Sequence, residues 1–152
     1  MQKKPQIRQA KPKDVDGIMH LMQEFASQLE DHFVLNIEKE VFSKQLTDEN
    51  FPFNIFVAEA ENKIVGYAAI IFQFSIWKGK FYLYLDDIYI QPVYRSLGIG
   101  QEMMNRIKEE ALQKGCEMVK WEVQIHNESG RKFYENLGAN YREAGLFQWD
   151  LG

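Results

Sequence analysis

The sequence is poor in the residues that mark secreted, membrane-spanning or nucleic-acid-binding proteins. Cys116 is the only cysteine among 152 residues, so no intrachain disulfide can form, and a cytoplasmic location is expected. Acidic side chains (22) outnumber basic ones (18), and this balance disfavours a nucleic-acid partner, which needs a basic face. No apolar run approaches the ~18 residues of a membrane span, so no membrane partner is expected.

Metal-ligand patterns are also missing from the sequence. His20, His32 and His126 show no ligand spacing with the cysteine or with a pair of carboxylates, so we expect no metal. Apolar residues make up 45% of the chain, which is typical of a globular protein. The length and composition predict a single domain over residues 1–152.

The first half of the chain shows helical spacing and then strand patterns. "QIRQA" predicts a short strand, and a helix is expected from Pro12 onward. A second helix is expected to begin with Asn36 as its cap. Two strands are expected around a turn at residues 61–63, and "KFYLYLDDIYIQ" predicts a long strand that ends before Pro92.

The second half returns to helices. A helix is expected after Gly100, ending at Gly115, followed by a strand in "EMVKWEVQI". Asn127 can cap another helix, and "LFQWDL" predicts a closing strand. This order predicts a mixed α/β fold with a largely antiparallel sheet and at least one helical crossover.

The stretch "RSLGIG", residues 95–100, stands between the long strand and the central helix. Glycines let backbone amides approach a ligand, and a helix N-terminus favours anions, so the stretch predicts a phosphate site. A nucleotide P-loop would need lysine directly after Gly100, and a dinucleotide fingerprint would need glycine in place of Met103. The same pattern is also expected for an ordinary glycine-containing turn before a helix, with no ligand.

Read as R-x-x-G-x-G, the stretch resembles the acetyl-CoA pyrophosphate loop of the GNAT superfamily of N-acetyltransferases. The preceding "YLDDIYIQPVYR" and the later "NESGRKFYENLGA", residues 127–139, resemble the neighbouring motifs of that family. Within the family, "WKGKFYLYLDDIYI" is most similar to the diamine, or spermidine/spermine, acetyltransferases. The resemblance implies a single domain with a central, mostly antiparallel twisted sheet and helices on both faces.

The same resemblance implies acetyl-CoA as co-substrate. Arg95 and the backbone of residues 96–101 would bind the pyrophosphate. The edge of a strand would bind the pantetheine amides, and residues near the last helix would lie beside the cofactor arm. Ser96 stands where the family commonly has glycine, and Arg131 and Lys132 also fit a solvated helix face. The predicted cofactor-binding residues are Ile88, Tyr89, Ile90, Arg95, Ser96, Leu97, Gly98, Ile99, Gly100, Gln101, Asn127, Ser129, Arg131 and Lys132.

Two catalytic residues follow from the resemblance. An alkyl amine has a pKa of about 10.4, so it must lose a proton before it attacks. Asp86 matches the position of the family's catalytic acid, where the diamine enzymes carry the longer glutamate. Neighbouring residues of a strand point to opposite faces, so only one of Asp86 and Asp87 is expected to face the ligand. Tyr134 matches the general acid that protonates the thiolate. Equally, one aspartate can be solvated with the other bound to a loop, and Tyr134 can be a core aromatic.

The acceptor is predicted to be a small cationic amine, such as a di- or polyamine. Its expected contacts are the acidic residues Asp86, Asp87, Glu30 and Glu122, although the family's helix glutamate aligns near Leu29. A protein or peptide N-acetyltransferase and a non-catalytic acetyl-CoA sensor are the alternatives. A further aromatic group can line an acceptor pocket, form sheet core or build the face of the homodimer that the family commonly forms. Its members are Phe72, Phe74, Trp77, Phe81, Tyr82 and Tyr84.

Overall fold

The computed structural model describes residues 4–29 and 35–152. It contains two compact units, a first one that ends at Trp121 and a second one, Glu122–Gly152. The helices and strands of the first unit are, in chain order, β1 Gln6–Gln9, α1 Val15–Gln28, α2 Lys39–Thr47, β2 Phe53–Ala60, β3 Lys63–Ser75, β4 Lys80–Ile90, α3 Ile99–Gln113 and β5 Val119–Lys120. The second unit contains α4 Glu128–Asn136.

The sheet follows the chain order, β1-β2-β3-β4-β5. The first four strands are antiparallel neighbours, and β5 joins β4 in parallel after the crossover through α3. Glu61 and Asn62 both have positive φ, 51° and 64°, as a two-residue hairpin turn between twisted strands requires. The predicted mixed α/β class, with a mostly antiparallel sheet, is confirmed.

Helices cover both faces of the sheet. The face toward α1 and α2 buries one hydrophobic cluster, which includes Ile18, Phe42 and Tyr67. The opposite face lies toward α3, where Met103 and Ile107 are fully buried and the Arg106 guanidinium lies 5.2 Å from the centre of the Phe56 ring. The sheet is therefore the middle layer, and its strand ends are the places where polar residues can collect.

Two local predictions about α2 and its surroundings need separate treatment. α2 begins at Lys39 with Glu38 as its N-cap, so the prediction that Asn36 caps this helix is wrong. No side chain caps α2, and the burial of Phe42 against the sheet positions the helix instead. α1 ends at Gln28, and residues 30–34, between it and α2, lie outside the described residues.

The end of the chain also differs from the prediction. The cap at Asn127 is confirmed, because its Oδ1 accepts a hydrogen bond from the Gly130 N–H at 2.9 Å. The strand predicted in "EMVKWEVQI" is reduced to the two residues of β5, and "LFQWDL" is not a strand. Alternating apolar residues form a strand only beside a partner that completes the ladder, and the Phe147 and Trp149 side chains are exposed instead.

Candidate active site

The loop that joins β4 to α3 has the backbone geometry of an anion site. Ser96 and Gly98 have positive φ, 67° and 80°, and such left-handed residues orient backbone N–H groups into a concave surface. A Cβ built on Gly98 would meet no atom within 4 Å, so the space beside this backbone is open. The positive φ at Ser96 also explains why glycine suits this position, because a left-handed conformation strains residues that carry a Cβ.

The first turn of α3 adds further donors to this loop. The first hydrogen bond of the helix runs from the Glu102 N–H to the Gly98 carbonyl at 3.0 Å. The N–H groups of residues 99–101 therefore have no acceptor within the helix, and the positive end of its dipole lies beside them. The six predicted residues 96–101 thus form one continuous loop and helix start, whose donors fit a pyrophosphate.

Arg95 lies at the join between β4 and this loop. Its Nε–H donates to the Ile90 carbonyl at 2.8 Å, and its guanidinium lies 5.5 Å from the centre of the Tyr89 ring. The positive charge is therefore held beside the predicted phosphate site. The contact between Arg95 and a phosphate stays a prediction.

The outer edge of β4 is only partly paired. β5 pairs with Leu83 and Tyr84 alone, and no other strand among the described residues joins this edge. Ile88–Ile90 pair on the other side with β3, through Gly66, Tyr67 and Ala68. An edge of this kind can bind extended amide groups in the manner of an added strand, which is the role predicted for Ile88, Tyr89 and Ile90.

Asp86 and Asp87 lie at a bulge in β4. Ile70 of β3 pairs with Leu85, but the next residue along the ladder, Ala69, pairs with Asp87, so Asp86 is an extra residue with no partner. Both carboxylates line the same cavity. The bulge interrupts the regular alternation at this point, and which of the two carboxylates faces the ligand stays a prediction.

The two carboxylates have different surroundings. The Tyr67 hydroxyl donates a hydrogen bond to Oδ2 of Asp87, whereas the Asp86 side chain is exposed. Burial raises the pKa of Asp87, the Asp86 charge adds to that effect, and the Tyr67 hydrogen bond opposes it. Burial and the Asp87 charge also raise the pKa of Tyr67, so this phenol remains a hydrogen-bond donor. The Asp87 carboxylate is therefore fixed by a hydrogen bond, whereas the Asp86 carboxylate is accessible to solvent.

The cavity beside the two carboxylates has a volume of about 280 Å³. Its wall is mainly apolar, and its polar groups are Asp86, Asp87, the Tyr67 hydroxyl and the Gln45 carboxamide. The lining residues are Met22, Ile37, Phe42, Gln45, Phe51, Phe53, Ile55, Tyr67, Ala69, Asp86 and Asp87. No lysine or arginine is among these described lining residues, so the only charges in the wall are negative.

Gln45 and Tyr67 are the polar lining residues that sequence reasoning missed. Tyr67 lies in a continuous apolar and buried run of β3 and is indistinguishable by pattern from a core aromatic. Gln45 is one of several polar residues on a short helix, and only the packing of α2 on the sheet brings it to the cavity. Neither residue has a signal in the sequence.

In the second unit, Tyr134 lies on α4 and is half-buried, with its ring 5.2 Å from the ring of Phe133. Ser129 Oγ donates to Asn127 Oδ1 at 3.2 Å, and Arg131 Nε donates to Glu135 Oε1 at 2.7 Å. Asn127 and Ser129 therefore bind within their own helix, whereas the Arg131 guanidinium also lies 3.9 Å from the centre of the Tyr141 ring. Their predicted contacts with the cofactor, and the acid role of Tyr134, stay predictions.

Lys132 and Glu122, both of the second unit, have exposed side chains, and their ligand contacts stay predictions. Glu30 lies outside the described residues. Burial raises the pKa of the Cys116 thiol. Within residues 4–29 and 35–152, no group of three or more His, Cys, Asp or Glu side chains can hold a metal ion, and no helix is long and apolar enough to cross a membrane.

The aromatic group around the β3–β4 hairpin does not line the acidic cavity. Phe74 and Phe81 contact each other edge to face, with ring centres 5.1 Å apart, and both are exposed. Trp77 at the hairpin turn is 94% exposed. Sheet core is therefore the wrong interpretation for these three residues, and a dimer face stays a prediction.

Comparison with known proteins identifies the class of the chain. Residues 18–139 match the model of the Acetyltransferase (GNAT) family, so the chain belongs to this family, and the predicted membership is confirmed. It is an N-acetyltransferase by class. The matched segment includes the bulged strand, the loop before α3, and α4.

Several characterised relatives are similar over most of the chain. The thialysine N-epsilon-acetyltransferase of Bos taurus is 33% identical over 141 residues, covering 88% of this chain and 82% of that protein. The spermidine/spermine N(1)-acetyltransferase-like protein 1 of Homo sapiens is 29% identical over 88% of this chain, but only 20% of that protein is covered. An aminoglycoside acetyltransferase from an uncultured soil metagenomic sample, in complex with sisomicin, has the same fold, with a TM-score of 0.84, 21% identity and 97% of each chain covered.

Proposed function

We propose that this protein transfers the acetyl group of acetyl-CoA to a primary amine of a small cationic molecule. The observation that carries the proposal is the pair of carboxylates at the β4 bulge, which open into a small, otherwise largely apolar cavity. The same strand leads directly into a loop whose backbone donors fit a pyrophosphate. β4 thus connects the proposed site of the cationic amine with the proposed site of the anionic cofactor.

The donor would be held by backbone groups. The N–H groups of residues 96–101 and the α3 dipole suit the pyrophosphate, and the unpaired edge at Ile88–Ile90 suits the pantetheine amides. Arg95 adds a positive charge at the join. Bound in this way, acetyl-CoA supplies the activated acetyl group.

The acceptor would be held by the carboxylates. Asp86 and Asp87 attract an ammonium group, and Asp86, which is open to solvent, can take its proton directly or through a water. The freed nitrogen then forms a bond to the acetyl carbon, and the carbon–sulfur bond breaks. The sulfur takes a proton from the Tyr134 phenol, and the second proton that the acetylated nitrogen loses restores this phenol. The products are an N-acetylated amine and coenzyme A, with the first proton left on Asp86.

The size of the cavity favours a small molecule over a peptide. A volume of about 280 Å³ lies just below the range of typical ligand pockets, which is about 300–1,000 Å³. The thialysine and spermidine/spermine relatives take their names from small amines, which supports the same acceptor class. A homodimer, a cytoplasmic location and a single functional domain spanning both units remain part of the proposal; the family match across residues 18–139 supports the last.

Thiol release from acetyl-CoA, measured over a panel of amines, tests the proposal. We expect turnover with diamines and other small alkylamines, weaker activity at high salt, and little activity with a short peptide. Acetylation of the peptide alone would identify a peptide N-acetyltransferase. Binding of acetyl-CoA without turnover of any amine would identify a sensor.

A further inference from the structure

The Tyr89 side chain connects α1 with the end of β4. It is 3% exposed and belongs to the hydrophobic cluster beneath α1. Its hydroxyl donates a hydrogen bond to Glu24 Oε2 at 2.8 Å and accepts one from Gln28 Nε2 at 2.9 Å. The Phe25 ring stacks on the Tyr89 ring, with centres 4.9 Å apart and planes 16° apart. Three residues of α1 therefore fix both the position and the orientation of the Tyr89 ring.

The fixed ring has a positive charge beside it. The Arg95 guanidinium lies 5.5 Å from the centre of the Tyr89 ring, within the range of a cation–π contact. Its Nε–H is bound to the Ile90 carbonyl, but its two Nη groups have no hydrogen-bond partner within residues 4–29 and 35–152. The Arg95 side chain is also exposed. The protein thus orders this guanidinium and leaves its remaining N–H donors available to an anion.

Ordering of the arginine before a ligand arrives has an energetic consequence. A long side chain on a loop has many rotamers, and a ligand that must order it binds more weakly. Contact with a fixed aromatic ring reduces this cost, because the guanidinium already has one preferred position. The Tyr89 ring should therefore affect the affinity for an anion that Arg95 contacts.

We propose that Tyr89 is a positioning residue for the cofactor: α1 holds its ring, and the ring holds the Arg95 guanidinium ready for the pyrophosphate. This inference rests on the cofactor half of the proposed function. That proposal uses only the backbone at Tyr89, as part of the strand edge. The further inference assigns a role to the side chain and gives α1 a part in cofactor binding.

Removal of the ring tests the role of Tyr89. Tyr89→Leu should raise the Kd for acetyl-CoA about fivefold, measured by calorimetric titration. Tyr89→Phe is the conservative variant that keeps the ring, and it should restore the Kd to within about twofold of the wild-type value. Phe56→Leu is the matched control, because it also removes a buried ring beside an arginine, Arg106, but on the face of the sheet toward α3. Its Kd should also stay within about twofold of the wild-type value.

A double-mutant cycle separates positioning of Arg95 from a general structural role. Arg95→Gln should weaken binding of acetyl-CoA about 10-fold or more, and Tyr89→Leu should then cause no further loss. A full further loss in the Arg95→Gln background would overturn the inference, because the ring would then act without the guanidinium. If Tyr89→Leu is too unstable to titrate, Tyr89→Met supplies a flexible side chain of similar reach for the same cycle.

Two other results would also contradict the inference. Wild-type affinity in Tyr89→Leu would mean that the ring does not position Arg95. Equal losses in Tyr89→Leu and Tyr89→Phe would mean that the hydroxyl, and not the ring, is what matters.

Failure of the proposed function gives a different result, because the titrations need no turnover. If no amine is acetylated but the ring and Arg95 show the expected coupling, acetyl transfer is contradicted and the role of Tyr89 is supported. If amines are acetylated while Tyr89→Leu binds acetyl-CoA like the wild type, only the role of Tyr89 is contradicted. A wild-type protein that does not bind acetyl-CoA would contradict both.

Discussion

Asp86 and Asp87 show how far one residue step can change a carboxylate. Asp87 accepts the Tyr67 hydrogen bond and is withdrawn from solvent, whereas Asp86 is exposed at the bulge. In a proton transfer these surroundings suit different tasks. A solvent-accessible carboxylate exchanges protons readily, and a held carboxylate provides a fixed charge for the ammonium group.

Asp87→Asn should make the protein more stable at neutral pH. The raised pKa of Asp87 means that folding favours its protonated form, so its contribution to stability is greatest below about pH 4 and is lost as pH rises through the folded-state value. Asparagine keeps an acceptor for Tyr67 and removes the buried charge. We expect a gain on the order of 1 kcal/mol at pH ~7, or about 2–4 °C in Tm, that shrinks on acidification.

Thermal melts monitored by circular dichroism from pH ~4 to ~8 measure this effect. Asp86→Asn is the matched comparison: it removes only the exposed neighbouring charge, so its melting temperature should rise less than that of Asp87→Asn. A loss of stability in Asp87→Asn at neutral pH would mean that the charged hydrogen bond from Tyr67 outweighs the cost of burial.

Tyr134→Phe should lower kcat about 10²–10⁴-fold, because the ring remains while the proton donor to the departing sulfur is removed. Affinity for acetyl-CoA should change little. Steady-state kinetics and calorimetric titration measure the two quantities. Tyr141→Phe, another tyrosine of the second unit, should leave both unchanged, and wild-type turnover by the Tyr134 variant would return this residue to a structural role.

At the scale of elements, α3 has a glycine in the left-handed region at each end. Gly98 precedes the helix with φ of 80°, Gly115 follows it with φ of 70°, and a Cβ on either would meet no atom within 4 Å. A residue with a Cβ would therefore be strained to a similar degree at either position. Only Gly98 lies in the loop that the proposed function assigns to the pyrophosphate.

Gly98→Ala should weaken binding of acetyl-CoA about 10-fold or more, because the new methyl group occupies the space through which the phosphate would approach. Gly115→Ala should cost a similar amount of stability, about 1 kcal/mol, without changing affinity. Calorimetric titration of both folded variants with acetyl-CoA measures the two affinities. Equal affinities would contradict the assignment of this loop to the cofactor.

Elements with strong periodicity could be predicted from the sequence. The hairpin at residues 61–63, the long strand β4 and the helix α3 carry their own signals in turn residues, alternation and glycine stops. The position of the loop between β4 and α3 could also be predicted, because glycines mark it, and its phosphate role stays a prediction. The start of α2 and the missing final strand could not be predicted, because both depend on contacts with distant parts of the chain.

The candidate site also contains residues that could be predicted from the sequence and residues that could not. Asp86 was found through family resemblance, but the bulge that brings both carboxylates to one cavity depends on the register between β3 and β4, which no local pattern records. Gln45 comes from a helix that is distant in sequence. Residues that act through local backbone geometry are thus easier to predict than residues that meet only in the folded sheet.

At the scale of the whole molecule, a partly buried ion-pair cluster joins β1 to the start of α1. Asp14 is 4% exposed and accepts two hydrogen bonds from Arg8, at 2.7 and 2.9 Å, and a third from the Lys11 backbone N–H at 2.7 Å. Arg8 also donates to Glu59 of β2 at 2.7 Å. The cluster fixes the entry of the chain into the sheet, on which the cavity is built.

Asp14→Asn should lower the free energy of unfolding by about 1–3 kcal/mol at neutral pH, because it removes one of the two carboxylates that pair with Arg8. The Arg8 hydrogen bonds lower the pKa of Asp14, so this contribution is present above about pH 4 and is lost as pH falls through the lowered value. Urea titrations at several pH values measure it. Asp16→Asn, which breaks an exposed pair with Lys39, should cost no more than about 1 kcal/mol.

The extra residue in β4 also has a consequence for how this enzyme can change over time. Because Asp86 has no partner in the ladder, the sheet keeps its pairing whatever side chain stands there. The diamine enzymes that this chain resembles carry a glutamate at this place, one methylene longer than the aspartate. The bulge therefore lets the length of this acidic side chain change without disturbing the strands that hold the protein together.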